Sequence, residues 1–280
     1  MDLTCMWRSL SRHGRGCAFA IVLLLGFSSG GVTADELKIG GTGAALGTMQ
    51  LLADEFIRKN PDVRIAMVPN LGSGGGIKAV ASGAIDLAVI SRPMNESERK
   101  LVAREIEYAR TPFVFAVSAK SRVTAITRQE LADIYAGRMV KWADGSPVRV
   151  ILRPASDIDT EMVRNISPEI RQGLTAAEQR SGVQFSVNDQ DAADGLEKIP
   201  GAIGPSSLAL ILSEKRPLRA LKFDGKEPTP ANAASGAYPY YKRLFFVTGA
   251  RSPAAVERYV AFAQSSVGRK ILESNGQSIP

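Results

Sequence analysis

Cysteine and histidine are nearly missing from this 280-residue chain, which has two Cys and one His. All three, Cys5, His13 and Cys17, fall within the first 34 residues. That stretch has the order of a secretory leader. Arg8, Arg12 and Arg15 precede an apolar run from Cys17 to Phe27, and small residues end in Val32-Thr33-Ala34. The run is far shorter than the roughly 20 residues a membrane-spanning helix needs. The expectation is therefore cleavage after Ala34 and release into the periplasm, leaving a mature chain with no thiol and no imidazole. Such a chain forms no disulfide even in an oxidising compartment. Catalysis by Ser-His-Asp or Cys-His groups is excluded, as are zinc sites built on imidazole or thiolate. Basic runs interleaved with aromatics are also missing, which argues against a nucleic-acid partner. The net charge of +7 becomes +5 without the leader, with 32 basic against 27 acidic residues. No metal or other cofactor is expected, and no enzyme.

What remains alternates between two periodicities. Strands are expected at 37–41, 63–68 and 85–91, with helices at 46–60, 76–83 and 95–105 between and after them. Asn95 and Glu98 have capping-box spacing. This order implies right-handed crossovers and a mainly parallel sheet. A second α/β region follows, with strands at 113–119, 148–153, 201–204, 218–223 and 243–249. Its helices are expected at 127–137, through most of 157–180, and at 207–214, 254–265 and 267–275. Thr127 and Glu130 form a second capping-box pattern. Residues 224–241 read as a loop.

Two glycine-rich corners stand out: GGTGAALGT at 40–48 and LGSGGGIK at 71–78. Each follows a strand and leads into a helix, which presents free backbone amides and the positive end of a helix dipole. Either one alone serves equally as a tight turn. Two at the carboxyl edge of one sheet, joined there by ISRP at 90–93, favour an anion site. Thr42, Ser73 and Ser91 add hydroxyls, and Arg92 adds charge. Neither corner is a nucleotide motif. In GSGGGIKA, Ile77 separates Gly76 from Lys78, and Ala79 stands where a magnesium-binding Ser or Thr belongs. GTGAALG misses the dinucleotide fingerprint by one residue, and no acid ends the next strand.

TGAALGTMQLLADEF, LGSGGGIKAVASGAIDLAVISRPMNESE, ELADIYAGRMVKWADG and IPGAIGPSSLAL occur in that order. Together they resemble the phosphate-type, PstS-like solute-binding proteins of bacterial ABC importers, over nearly all of the mature chain. The resemblance implies a type II periplasmic binding protein, an α/β fold of two lobes with the ligand in the cleft between them. One lobe would comprise residues 35–112 and 244–280, the other 113–243. It further implies a monomer that captures a small oxyanion, by default phosphate, and delivers it to a permease. The grip would come from Thr42, Gly43 and Ala44 at the first corner, Ser73 and Gly74 at the second, and Ser91 at the third. The second lobe would add Arg153 and Thr160. The sequence departs from the family in RPASDIDTE, where Asp157-Ile158-Asp159 replaces the usual Gly-Ser-Gly. Two carboxylates there oppose a free phosphate, and three bare amides are lost. The alternative implied is a different ligand, or a sensor or interaction role without transport.

Remaining residues read more plainly. Asp157 is expected to cap the helix after it rather than touch ligand. Tyr135 and Trp142 are expected in the second lobe's core. The tyrosines of GAYPYYKR at 236–243 either line the cleft mouth or pack the hinge loop. Arg99, Lys100 and Arg104 read as a solvated helix face.

Overall fold

The structure, a computed structural model, describes residues 35–280; the expected leader lies outside them. The chain begins with β1 (Asp35–Gly41), α1 (Gly43–Lys59), β2 (Val63–Val68), α2 (Gly72–Ser82), β3 (Leu87–Ile90), α3 (Glu96–Arg99) and β4 (Arg104–Ser118). Then come β5 (Ala125–Ile126), α4 (Arg128–Ala136), β6 (Arg149–Leu152), α5 (Ile158–Arg164), α6 (Pro168–Glu178), β7 (Gln184–Phe185), α7 (Asp189–Lys198), β8 (Ala202–Ser207) and α8 (Leu208–Ser213). It ends with β9 (Leu218–Ala220), β10 (Lys222–Phe223), α9 (Pro230–Ala234), β11 (Tyr241–Thr248), α10 (Ala254–Ala263) and α11 (Ser266–Ser274).

Alternating side chains build a layer on each face of the strands. In β3, Leu87 and Val89 join the core under α1 and α10, while Ala88 and Ile90 join Ile77 and Val80 of α2 on the other face. In β4, Phe113, Phe115 and Val117 pack with α4 and α6, while Val114 and Ala116 pack with α7 and α8. The result is two α/β lobes sharing one sheet, ordered β2-β1-β3-β11-β4-β8-β6-β7. The long β4 and the returning β11 carry the chain between them. β11 pairs with β3 through Phe245–Thr248 and with β4 along its whole length.

The mainly parallel sheet expected from the strand order is in fact mixed. β1, β2 and β3 are parallel, but β11 runs antiparallel to β3 and β4, and β8 antiparallel to β4. The helix expected over 95–105 shrinks to the single turn of α3, with its Asn95–Glu98 capping box intact. Residues from Arg104 onward are already strand. Their charges pair sideways, as in Glu107 with Arg243 on β11, rather than along a helix. The glycines of the second corner also differ from expectation. Gly72 to Gly75 belong to the first turn of α2 rather than to a loop before the helix expected from Gly76.

Parallel pairing places three strand ends side by side. Gly40 lies opposite Val68, and Gly41 opposite Val89. The starts of α1 and α2 and residue Ser91 therefore leave the sheet at one edge. The second lobe repeats this plan. Leu152 lies opposite Phe185, so Arg153 and Ser186 emerge together, just ahead of α5 and α7.

Candidate functional site

The two glycine corners meet at one hydroxyl. Ser91 Oγ lies 3.1 Å from Thr42 Oγ1 and 3.3 Å from Ser73 Oγ, and the Ser91 amide donates to Ser73 Oγ at 3.1 Å. Gly41 makes this approach possible. Its φ is +136°, and a Cβ there would lie 1.9 Å from the Val89 carbonyl oxygen. Thr42 then donates its amide to that same carbonyl at 2.9 Å.

Helix starts differ across the cleft. Most described helices begin with a side-chain cap; α1, α2 and α10 do not. At α1, Thr42 makes no cap bond because its hydroxyl is turned to Ser91, and at α2 the cap position is Leu71. The first amides of both helices thus lack intrahelical and side-chain acceptors. The second-lobe helices facing them are capped by their own residues. Asp157 Oδ1 accepts from the Asp159 amide at 2.9 Å, and Asn188 Oδ1 from the Asp191 amide at 2.8 Å. Asp157 is therefore the cap its position suggested.

Between these ends lies a cleft of about 490 Å³, lined from one lobe by Thr42, Gly43, Ser73, Gly74, Lys78 and Arg92. Arg153, Pro154, Asp157 and the start of α7 line the other side. A larger hollow of about 750 Å³ lies between α1 and α11, but the α11 start beside it is capped by Ser265. Arg92 is held beside Gly74 by a two-pronged pair with Glu98, each bond 2.7 Å. That pair keeps the Glu98 carboxyl below the usual carboxylate range.

Arg153 is only 4% exposed. It donates to the Ser186 carbonyl at 3.0 Å and to Asp157 at 2.7 Å, and Asp189 lies 3.9 Å away. Its Nε is buried without a hydrogen-bond partner among the described residues. Behind it, Lys242 on β11 is wholly buried against Asp159, with Asp189 at 3.7 Å. Burial pushes the Asp159 carboxyl up to about 6, with Lys242 pulling the other way. Burial lowers the Lys242 ammonium, but Asp159, Asp189 and Asp157 outweigh it and leave it above the ordinary lysine value. Among the described residues no group of three or more His, Cys, Asp or Glu side chains is arranged to hold a metal ion.

Residues 28–267 match the PBP superfamily domain. The chain belongs to that family. It is 25% identical over 257 residues to the phosphate-binding protein PstS of Bacillus subtilis, covering 88% of this chain and 80% of that one. It is 26% identical over 273 residues to protein SphX of Synechococcus elongatus, covering 89% and 77%. In fold it resembles a putative phosphate ABC transporter substrate-binding protein from Clostridium perfringens. The TM-score is 0.73 at 21% identity, over 88% of this chain and all of that one. The Azotobacter vinelandii periplasmic molybdate-binding protein is also similar, with TM-score 0.60 at 16% identity over 87% and 99%.

Against this PBP-superfamily frame, Thr42, Gly43, Ser73, Gly74, Arg92 and Arg153 all line the cleft. Ser91 and Thr160 are buried behind it, Ser91 joining the two hydroxyls and Thr160 donating to the Arg153 carbonyl at 3.1 Å. Ala44 is buried in α1 next to Gly43 and is not itself among the lining residues. The tyrosines of 236–243 divide. Tyr238 is buried and donates to the Phe113 carbonyl at 2.8 Å with Tyr240 against its ring, whereas Tyr241 stacks under Arg110. Sequence reasoning missed the start of α7 and Lys242. Asn188 with Asp191 three residues on was a readable start signal. Lys242, a lone lysine after three tyrosines, carried none.

Proposed function

We propose that this chain is an extracytoplasmic solute-binding protein that captures a small oxyanion, by default phosphate, for delivery to an ABC importer. The observation that carries the reading is the convergence of Thr42, Ser73 and Ser91 under two uncapped helix starts, across a cleft from Arg153. Amides at helix starts hold oxyanion oxygens and complement their charge. The lobes are assigned as 35–112 with 244–280, and 113–243, moving about β4 and β11. The names of the PstS and SphX relatives and the bound phosphate of the Clostridium neighbour support the ligand class. The protein acts as a monomer in the periplasm after loss of residues 1–34. It binds rather than transforms, as the names of its PstS relatives say of them.

The test is calorimetry with inorganic phosphate on the wild type, Ser73→Ala and Arg153→Ala. A ligand of the folded state also raises the melting temperature. Each substitution is expected to weaken affinity by about tenfold or more, since a hydrogen bond to a charged group contributes roughly 1.5–3 kcal/mol. Unchanged affinity in both variants rejects the site.

A further inference from the structure

The two walls of the cleft carry opposite net charge. On the first-lobe wall, Lys78 and Arg92 face one carboxylate, Glu98, beside the two uncapped helix starts. On the second-lobe wall, Asp157 and Asp189 line the cleft with Asp159 directly behind. Only Arg153 and the buried Lys242 offset these three, so this wall is left one negative charge in excess. The helix starts on that side offer fewer free amides, because Asp157 takes the Asp159 amide and Asn188 the Asp191 amide.

A doubly charged inorganic phosphate fits one wall of such a cleft and is repelled by the other. A ligand with charge separated along its length fits both. The space between is also more than a bare oxyanion fills. About 490 Å³ lies within the range of pockets that enclose small organic molecules, roughly 300–1,000 Å³. Part of the lining is apolar, from Leu71, Ile158 and Val187, the last 75% exposed at the cleft. Arg153 supplies an independent sign that an acceptor oxygen, which the oxyanion end can provide, reaches across to the second wall. It is almost wholly buried, lines the cleft, and has an Nε with no partner among the described residues.

Resting on the oxyanion reading above, we propose that the ligand is a zwitterionic organic oxyanion. Its phosphonate or phosphate end is held by the amides and hydroxyls around Thr42, Ser73 and Ser91, with the Arg153 Nε donating to one of its oxygens from across the cleft. Its ammonium end is held by Asp157 and Asp189, with a short carbon linker passing the apolar lining. The experiment titrates three probes into the wild-type protein by calorimetry: 2-aminoethylphosphonate, ethylphosphonate and inorganic phosphate. 2-Aminoethylphosphonate is expected to bind at least about tenfold more tightly than either other probe. In Asp157→Asn, which keeps a good helix cap, its advantage over ethylphosphonate is expected to fall to about threefold or less. If that variant fails to fold, the wild-type series still decides. Ethylphosphonate or phosphate binding as tightly as 2-aminoethylphosphonate overturns the zwitterion while leaving the oxyanion reading intact. Binding by none of the three overturns both.

Discussion

Lys242 is the residue whose removal should cost most outside the cleft itself. It sits on the crossing strand β11, wholly buried, and faces the starts of α5 and α7 through Asp159 and Asp189. Removing one partner of a buried ion pair leaves a charge stranded in low dielectric, typically a loss of about 3–5 kcal/mol. Lys242→Met is expected to lose stability in that range in urea unfolding. Adding Asp159→Leu removes the stranded carboxylate and is expected to recover most of the loss, because the two effects share one interaction. Equal losses in the single and double variants would mean that the stranded Asp159 carboxylate is not what costs the stability. Sequence alone showed only half of this cluster. Asp157 and Asp159 were conspicuous because they replace glycines in a resembling motif. Lys242 is about eighty residues away in the chain, and only the pairing of β11 with β4 brings it to them.

At the scale of an element, the glycines of α2 divide into two kinds. Gly76 faces the sheet, where a Cβ would lie 3.0 Å from the Gly41 Cα and 3.4 Å from the Ala88 Cβ. Gly75, one residue earlier, would meet only the Leu71 Cβ at 3.5 Å, an ordinary contact. Glycine in a helix interior costs up to about 1 kcal/mol relative to alanine. Gly75→Ala is therefore expected to stabilise the fold by roughly 0.5–1 kcal/mol. Gly76→Val is expected to destabilise it by about 1–3 kcal/mol, as overpacking does. Denaturant midpoints at an unchanged slope check both. Gly72, Gly74 and Gly75 were read as a loop because glycine is a poor helix former; the packing of α2 against Gly41 overrides that. The reverse happened after Asn95. RKLVAREIEYAR is rich in helix formers, yet it runs as strand from Arg104 because β11 lies alongside to pair with it. Elements with strong local signals were legible. α4 kept both its capping box and its closing glycine, Gly137, and β2 runs over 63–68 as its alternation and Pro61 implied. α7 was passed over because it buries only Ala192, Ala193 and Leu196, too faint a stripe to register as periodic.

For the whole molecule, the capture proposed above depends on how far apart the lobes sit, and α1 is one place where they touch. Its Gly43 carbonyl accepts from Gln190 at 3.2 Å, and the same Gln190 amide donates to Glu214 at 2.9 Å. One turn later, Gly47 lies against α8. A Cβ at that position would come within 2.3 Å of Ser213 Oγ and 2.9 Å of Glu214 Cγ. α1 belongs to the first lobe's core and α8 to the second's, so a side chain at Gly47 acts as a wedge between them. Hinged receptors bind through contacts that both lobes make at once, and a change that disfavours the closed arrangement lowers affinity without touching the ligand. Gly47→Leu is expected to raise the phosphate dissociation constant at least about tenfold, equivalent to roughly 1.4 kcal/mol. Circular dichroism should be unchanged, and solution scattering should show a larger radius of gyration. Gly47 is not among the residues lining the cleft, so weaker binding with an expanded shape would locate the effect in the spacing of the lobes. Weaker binding at an unchanged radius would instead point to a local disturbance of the α1 start. Undiminished affinity would mean that the contact between α1 and α8 does not set that spacing.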